Sequence, residues 1–470
     1  MEDRCTVVFD VGKTNAKLTL WDAQGHCLER RVRRNDVTQA PEYRALDVHG
    51  LEEWLAHTLS EYARRATIGV LIPVGHGAAA ALVQGEHLFA LPMDYEDEPS
   101  PGERAAYDSQ RDAFAHTGSP ALPAGLNLGM QLHRLERLTG PWPEDLFILT
   151  WPQYWAWRLS GVMASEVTSL GCHTDLWRPL ENRFSDLAVR RGWARRMPPR
   201  HHARAALGSI TREWTARTGL PGDCVVLCGL HDSNAALLAA RGHADIAAHD
   251  ATVLSTGTWF VAMRSPSGNA AVDASALSEA RDCLINVDVH GAAIPSARFM
   301  GGREAELLAA LDIHALRHTD DSQRLIDRLP ALLNSGAAAF PSFKQGCGPF
   351  PQSRGTWRNK PEDPADQRAI TGLYLALLAD TSLGLIGSQD RLLIEGRFAE
   401  AVIFTRALAA LRPAQKIFVS HAHDDVPYGA LRLVNADLPA PAPLTEIEPL
   451  DVDFRVFTEE WRAHTARAGT

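Results

Sequence analysis

Cysteine is scarce: seven in 470 residues, scattered and odd in number. That excludes a disulfide scaffold and points to a reducing compartment, the cytoplasm. Cys224 and Cys228 stand in a C-x3-C spacing with no second pair nearby, so a structural zinc site is not expected. Long apolar runs are also missing. Nothing approaches the ~18–20 residues of a membrane span, and the most apolar window, residues 147–159, is interrupted by Gln153 and Arg158. The opening MEDRCTVVFD lacks the basic, apolar and small-residue order of a secretory signal. Positive charge is in deficit. Asp+Glu number 57 against 47 Lys+Arg, a net charge of −10, which removes the basic field that nucleic acid or an anionic membrane requires. Neither is an expected partner, and no internal sequence repeat is evident.

What remains is an ordinary globular composition, 45% hydrophobic and 22% charged, long enough for two or three cores. TVVFD (6–10), AKLTLWD and CLERRVRR read as three strands joined by two turns. Two hairpins in succession argue against a dinucleotide fold, which places a helix after the first strand. Residues 51–66 have helical spacing, TIGVLIPVG returns as a buried strand, 95–123 is turn-rich and 127–161 mostly helical. CVVLCG (224–229) is a strand leading into an alanine-rich helix. The main domain boundary falls at 240–250. Beyond it, DATVLSTGTWFVAM reads as two strands around a Thr-Gly turn, 363–387 as a long helix and LLIEGRFAEAV as a strand turning into a helix, with a proline-rich surface stretch at 438–449.

Four segments have chemistry. Asp10-Val-Gly12-Lys13-Thr14-Asn15 is not a Walker A loop, because the first glycine is missing and a strand follows. It suits a phosphate-holding hairpin, with Gly12 allowing close approach, Thr14 and Asn15 offering donors and Asp10 placed to hold Mg²⁺ through water; an ordinary turn fits as well. Ser255-Thr256-Gly257-Thr258 is a second small-hydroxyl turn that would cradle an anion. Asp232, where a strand meets a helix, suits a general base or a helix N-cap. Glu395-Gly396 sits at a strand-to-helix junction open to a flat ring, or is a plain turn. His201-His202 reads as solvated. The run His421-Ala-His423-Asp424-Asp425 has metal-ligand types without a second ligand set, and Trp151, Trp155 and Trp157 read as core.

In order and spacing these segments resemble the FGGY family of carbohydrate kinases, nearly end to end, from DVGKTNAK to about residue 435. DVGKT, PMDYED (92–97), PQYWAWRLSG (152–161), GLHDSNAAL, STGTW, RFMGGREAELL (298–308) and IEGRFAE follow the family's sequence. The resemblance implies a two-domain actin/hexokinase-like, ribonuclease H-like α/β fold with ATP and sugar in the interdomain cleft. Residues 1–245 would form the sugar-binding domain with the first phosphate hairpin, and 246–470 the nucleotide-binding domain. It implies Asp10 at Mg²⁺, Gly12, Lys13, Thr14 and Asn15 at the first phosphate hairpin, and Thr256, Gly257 and Thr258 at phosphate. Glu395 and Gly396 would lie at adenosine, Asp232 would be the catalytic base, and His76, Gly77, Asp94, Tyr95 and His231 would line the sugar site. Lys13, Asn15, Gln153 and the Gly-Arg-Phe of 396–398 depart from the commoner pattern, and the last two, Gln153 and Gly-Arg-Phe, resemble the branch near the fuculose and rhamnulose kinases. The expected activity is ATP- and Mg²⁺-dependent phosphorylation of a ketose hydroxyl by a monomer or homodimer. The competing expectation is an ATPase or sugar sensor on the same fold, from which the polar residues His76, Asp94, Tyr95 and Gln153, suited to a polyol, distinguish a sugar kinase.

Overall fold

The computed structural model describes residues 4–268, 272–309, 322–420, 425–440 and 442–468. Two compact units divide the chain: Met1–Gly242 with Ile285–Ala293 and Asp424–Pro441, and His243–Leu284 with Ile294–His423 and Ala442–Thr470.

In the first unit the strand Cys5–Val11 is buried at every position, as a largely apolar run demands. It pairs antiparallel with Asn15–Trp21, which pairs antiparallel with Cys27–Arg34. Its other neighbour is the parallel strand Ile68–Gly75, which is followed in parallel by Val225–Leu227 and Leu230–His231. The helix Val48–Ala63 starts at Asp47, whose side chain accepts the Gly50 N–H, and buries Leu51, Leu55, Leu59 and Tyr62 on one stripe,. Tyr62 fixes that helix to the sheet by donating its hydroxyl to the Leu18 carbonyl at 2.9 Å. The helix Trp151–Ser160 is core, with Trp155 edge-on to Phe9 at 5.1 Å.

Two stretches differ from their sequence reading. Residues 127–161 contain the helix Leu128–Thr139, but then the strand Leu146–Thr150 before Trp151–Ser160. That strand pairs with Ala80–Gln84, and a short apolar run buried on both faces has no period to separate strand from helix. The turn-rich 95–123 stretch holds the helix Pro101–Asp108, opened by a capping box in which the Ser100 hydroxyl accepts the Glu103 N–H and the Glu103 carboxylate accepts the Ser100 N–H. The Ser-Pro-Gly-Glu run is a legible signature of that start.

Burial pushes the Glu103 carboxyl up. The bonds from Ser100 and from Arg137 at 2.6 Å outweigh it and bring the group down to about 2. A carboxyl lowered on folding stabilises above its unfolded value and loses that contribution as pH falls through the folded one. Glu103→Gln should therefore destabilise by about 1–2 kcal/mol at pH 7. In urea titrations the gap should close as pH falls from 4.5 toward about 2; a gap independent of pH contradicts this assignment.

The second unit repeats the strand order. Ala251–Thr256 forms a hairpin with Phe260–Ser265, which pairs antiparallel with Ala293–Phe299. On its other side Ala251–Thr256 has the parallel strand Arg391–Gly396, followed by the parallel Lys416–Val419. Each unit thus has a central strand with a hairpin on one side and parallel strands on the other. The helix Pro364–Leu385 is buried round most of its circumference and packs on Val402–Leu411. His421, His423 and Asp424 lie outside the described residues. Among the described residues, no group of three or more His, Cys, Asp and Glu is arranged to hold a metal ion, and no helix is long and apolar enough to cross a membrane.

Candidate active site

Parallel strands bring their carboxyl ends to one edge of a sheet, where open α/β sheets bind ligands. In the first unit Asp10 lies opposite Val74, and Val74 opposite Leu230; one step on, Val11 faces Gly75 and Gly75 faces His231. Asp10, His76, His231 and Asp232 therefore share one edge through register alone. Gly229 makes the last strand possible. It has φ +77°, and a Cβ there would meet the Pro73 carbonyl at 2.0 Å,. Gly77 is needed for space, since a Cβ would lie 2.5 Å from the Cys172 sulfur and 3.1 Å from His231 Nε2.

Asp232 opens the helix Asp232–Ala240 but does not cap it, because the N-cap position is His231. The capping alternative is thereby removed. Its Oδ1 accepts the Ser233 N–H at 2.6 Å and lies 3.2 Å from His231 Nε2. Asn234 Nδ2 is 3.2 Å from His231 Nδ1, so Nδ1 accepts and Nε2 carries the hydrogen toward Asp232. The Asp232 side chain is 28% exposed, and Oδ2 takes none of these bonds. Burial lowers His231 and brings His76 down to about 4, with Asp232 opposing in both, so both rings are neutral near pH 7. His76 Nδ1 accepts the Ala78 N–H at 3.3 Å, leaving Nε2–H as a donor beside the Tyr95 ring, 5.8 Å away.

Burial raises Asp10 to about 6; Lys17, 3.5 Å away, opposes the rise and Asp232 adds to it. Two carboxylates that feel one another, one buried and one open, fit a hard cation held largely through water and phosphate oxygens. The Gly12 N–H closes the turn on the Asn15 carbonyl at 3.1 Å, while Thr14 and Asn15 are exposed.

Lys13 does not reach into the hairpin's own space. Its ammonium pairs with Asp94, 4.8 Å over the Tyr95 ring. Asp94 is fully buried; its Oδ1 also accepts the Glu96 N–H at 3.0 Å, and its Oδ2 faces the Arg44 guanidinium at 3.0 Å without a hydrogen bond. Gln153, read as a polyol contact, has no exposed surface; its amide donates to the Cys228 and Gly229 carbonyls at 3.1 and 3.3 Å. The reading is corrected: Gln153 braces the turn before His231. Lys17 and Arg44 were missed. Lys17 has a local signal, a cation opposite Asp10 in the first hairpin; Arg44 has none.

In the second unit Ser255 lies opposite Glu395 and Thr256 opposite Gly396. Glu395 is buried and paired with the Ser255 hydroxyl; burial raises its carboxyl, with Ser255 opposing. Gly396 and Thr258 are exposed, and Gly257 bends the hairpin by donating to the Trp259 carbonyl at 3.0 Å. Gly302, at the start of the helix Gly301–Ala309, approaches so closely that a Cβ would meet the Gly257 carbonyl at 2.4 Å. The Thr256 hydroxyl donates to the Glu395 carbonyl at 2.6 Å and accepts the Phe398 N–H at 2.9 Å, so it joins the hairpin to the strand–helix junction. Thr256→Val should destabilise this unit by about 1–3 kcal/mol in denaturant unfolding, and Thr256→Ser should restore it. Equal stability of all three proteins would contradict that role.

Known proteins share this fold. Residues 248–442 match the family model described as carbohydrate kinase FGGY, C-terminal domain. The chain is 47% identical over the full length of both chains to a carbohydrate kinase from Novosphingobium aromaticivorans, with a TM-score of 0.93. The chain belongs to the FGGY family of carbohydrate kinases. As a member it is a phosphotransferase, with the two-unit actin/hexokinase-like fold. The same fold is found in xylulose kinase from Rhodospirillum rubrum, 17% identical over 99% of this chain and 98% of that one at TM-score 0.76. It is found again in Plasmodium falciparum glycerol kinase with ADP, 12% identical with the same coverages at TM-score 0.78. No curated protein matches the sequence.

Proposed function

We propose that this FGGY kinase transfers the terminal phosphoryl group of ATP to a hydroxyl of a ketose of the L-fuculose, L-rhamnulose or ribulose type, with Asp232 as general base. One observation supports this above the others. Asp232, its side chain 28% exposed, has one oxygen held by Ser233 and His231 and a second that takes neither of these bonds and is left for a hydroxyl proton. Phosphoryl transfer asks little covalent help of a protein beyond positioning and charge neutralisation. Asp232 Oδ2 accepts the sugar hydroxyl and takes its proton as the oxygen attacks. The neutral His76 donates Nε2–H to a sugar oxygen, and Tyr95 and Gly77 shape the wall beside it. Lys13, fixed by Asp94, adds a donor.

Asp10 would hold Mg²⁺, which supplies neutralisation of phosphate charge when bound. In the first unit the exposed Thr14 and Asn15 offer donors to phosphate, in the second unit the exposed Thr258 does the same, and Gly396, exposed at its junction, lies along the adenosine with Glu395 buried beneath. The enzyme acts in the cytoplasm as a monomer or homodimer.

A coupled ADP-release assay with Mg·ATP tests the substrate class, using L-fuculose, L-rhamnulose, L-ribulose, D-ribulose, D-xylulose and glycerol. Saturable release with one of the first four supports the reading. Release with glycerol or D-xylulose alone would contradict it.

A further inference from the structure

The peptide that precedes the proposed base is held by a group outside the site. The helix Asp232–Ala240 has no side-chain cap, and Leu230–His231 is a two-residue strand bound to the sheet on one side. Its other support comes from the four-residue helix Val167–Leu170. The His231 N–H donates to Thr168 Oγ1 at 3.0 Å, and the Thr168 hydroxyl donates to Glu166 Oε2 at 2.6 Å. A hydroxyl has one proton; with that proton on the carboxylate, only its lone pairs can face His231, so the direction of the chain is fixed. Glu166 Oε2 also accepts the N–H groups of Thr168 and Ser169 at 2.9 and 3.1 Å. Glu166 and Thr168 are both 0% exposed, so neither touches substrate. In a water-poor interior such a chain of hydrogen bonds is stiff.

We infer that Thr168, braced by Glu166, is a positioning residue for the phosphoryl transfer: it holds the His231 peptide and so the aim of the Asp232 carboxylate. This rests on the reading of Asp232 as the base. Small angular errors in a catalytic group lower turnover without weakening binding of the substrates.

The test compares Thr168→Val, which keeps the shape and removes the hydroxyl, with Thr168→Ser, which keeps the hydroxyl. Asp232→Asn serves as the reference, and folding is checked by circular dichroism and melting. The valine variant should lose 10- to 100-fold in kcat per folded molecule, with KM for sugar and ATP within about twofold, and the serine variant should recover most of the loss. Should the valine variant not fold, Thr168→Ala is judged by the same criteria. A hydroxyl with only a structural role would lower the melting temperature and leave kcat intact. Parental kcat in the variant lacking the hydroxyl, or a loss shared equally by serine, overturns the inference while a slow Asp232→Asn leaves the base assignment standing. Full turnover in Asp232→Asn overturns both.

Discussion

Asp232→Asn should fold like the parent and turn over roughly 10²–10⁴-fold more slowly. Asparagine has the same shape, and its carbonyl oxygen can still accept from Ser233 N–H and His231 Nε2–H, the bonds that hold Oδ1. What it loses is a site for the proton of the attacking hydroxyl. Neither neighbouring histidine is placed to replace it. His231 directs its Nε2–H at Asp232, and His76, at about 4, has its Nδ1 lone pair engaged by the Ala78 N–H. Because an amide still accepts a hydrogen bond, KM for the sugar should change by no more than a few-fold, so the loss should sit in kcat. Steady-state kinetics on purified variant checks the split. A variant with near-parental kcat, or one whose whole defect is in KM, would remove Asp232 from the role of base.

The second large effect is expected at Asp94. It is fully buried and joins three parts of the first unit: Lys13 from the first hairpin, Arg44, and the Glu96 backbone. Deleting one partner of a buried ion pair leaves the other uncompensated, typically at 3–5 kcal/mol. Here the Lys13 and Arg44 side chains retain 18% and 42% of their exposure, so water offsets part of the loss. Asp94→Ala should therefore destabilise the first unit by about 3 kcal/mol. It should also release Lys13 from above the Tyr95 ring and raise KM for the sugar more than tenfold, with KM for ATP little changed. Asp94→Asn, which keeps the volume, should fall between. Denaturant unfolding and substrate titrations measure the two effects separately. A destabilised protein with parental sugar KM would make Asp94 a purely structural anchor.

Much of the fold was legible because its strands have local marks. The apolar run of Cys5–Val11 and the alternation of Asn15–Trp21 declare a hairpin, and that hairpin argues against a dinucleotide fold from the sequence alone. The strand Leu146–Thr150 was not legible, since its buried run has no polar face to give a period. The site follows the same division. Asp10, His76, His231 and Asp232 fall at strand ends, and strand ends can be read. The partners of those residues cannot. Lys13 and Asp94 are 81 residues apart and Thr256 reaches Phe398 across 142; neither pairing has a trace in local composition. Gln153 shows the resulting error: a polar residue in a tryptophan-rich helix looks available, yet its amide closes two carbonyls in the core. Thr168 and Glu166 gave no signal either, because the bond that connects them to His231 spans 63 residues.

The central claim, that this chain moves a phosphoryl group from ATP to a sugar with Asp232 as base, is tested most directly by a rapid-quench single turnover. Enzyme in excess over Mg·[γ-³²P]ATP is mixed with the ketose that the assay selects, and labelled sugar phosphate and labelled inorganic phosphate are followed together. The account predicts sugar phosphate formed one-for-one with ADP, almost no inorganic phosphate, and a rate constant that collapses in Asp232→Asn. Inorganic phosphate released at a rate indifferent to the sugar and to residue 232 would contradict it.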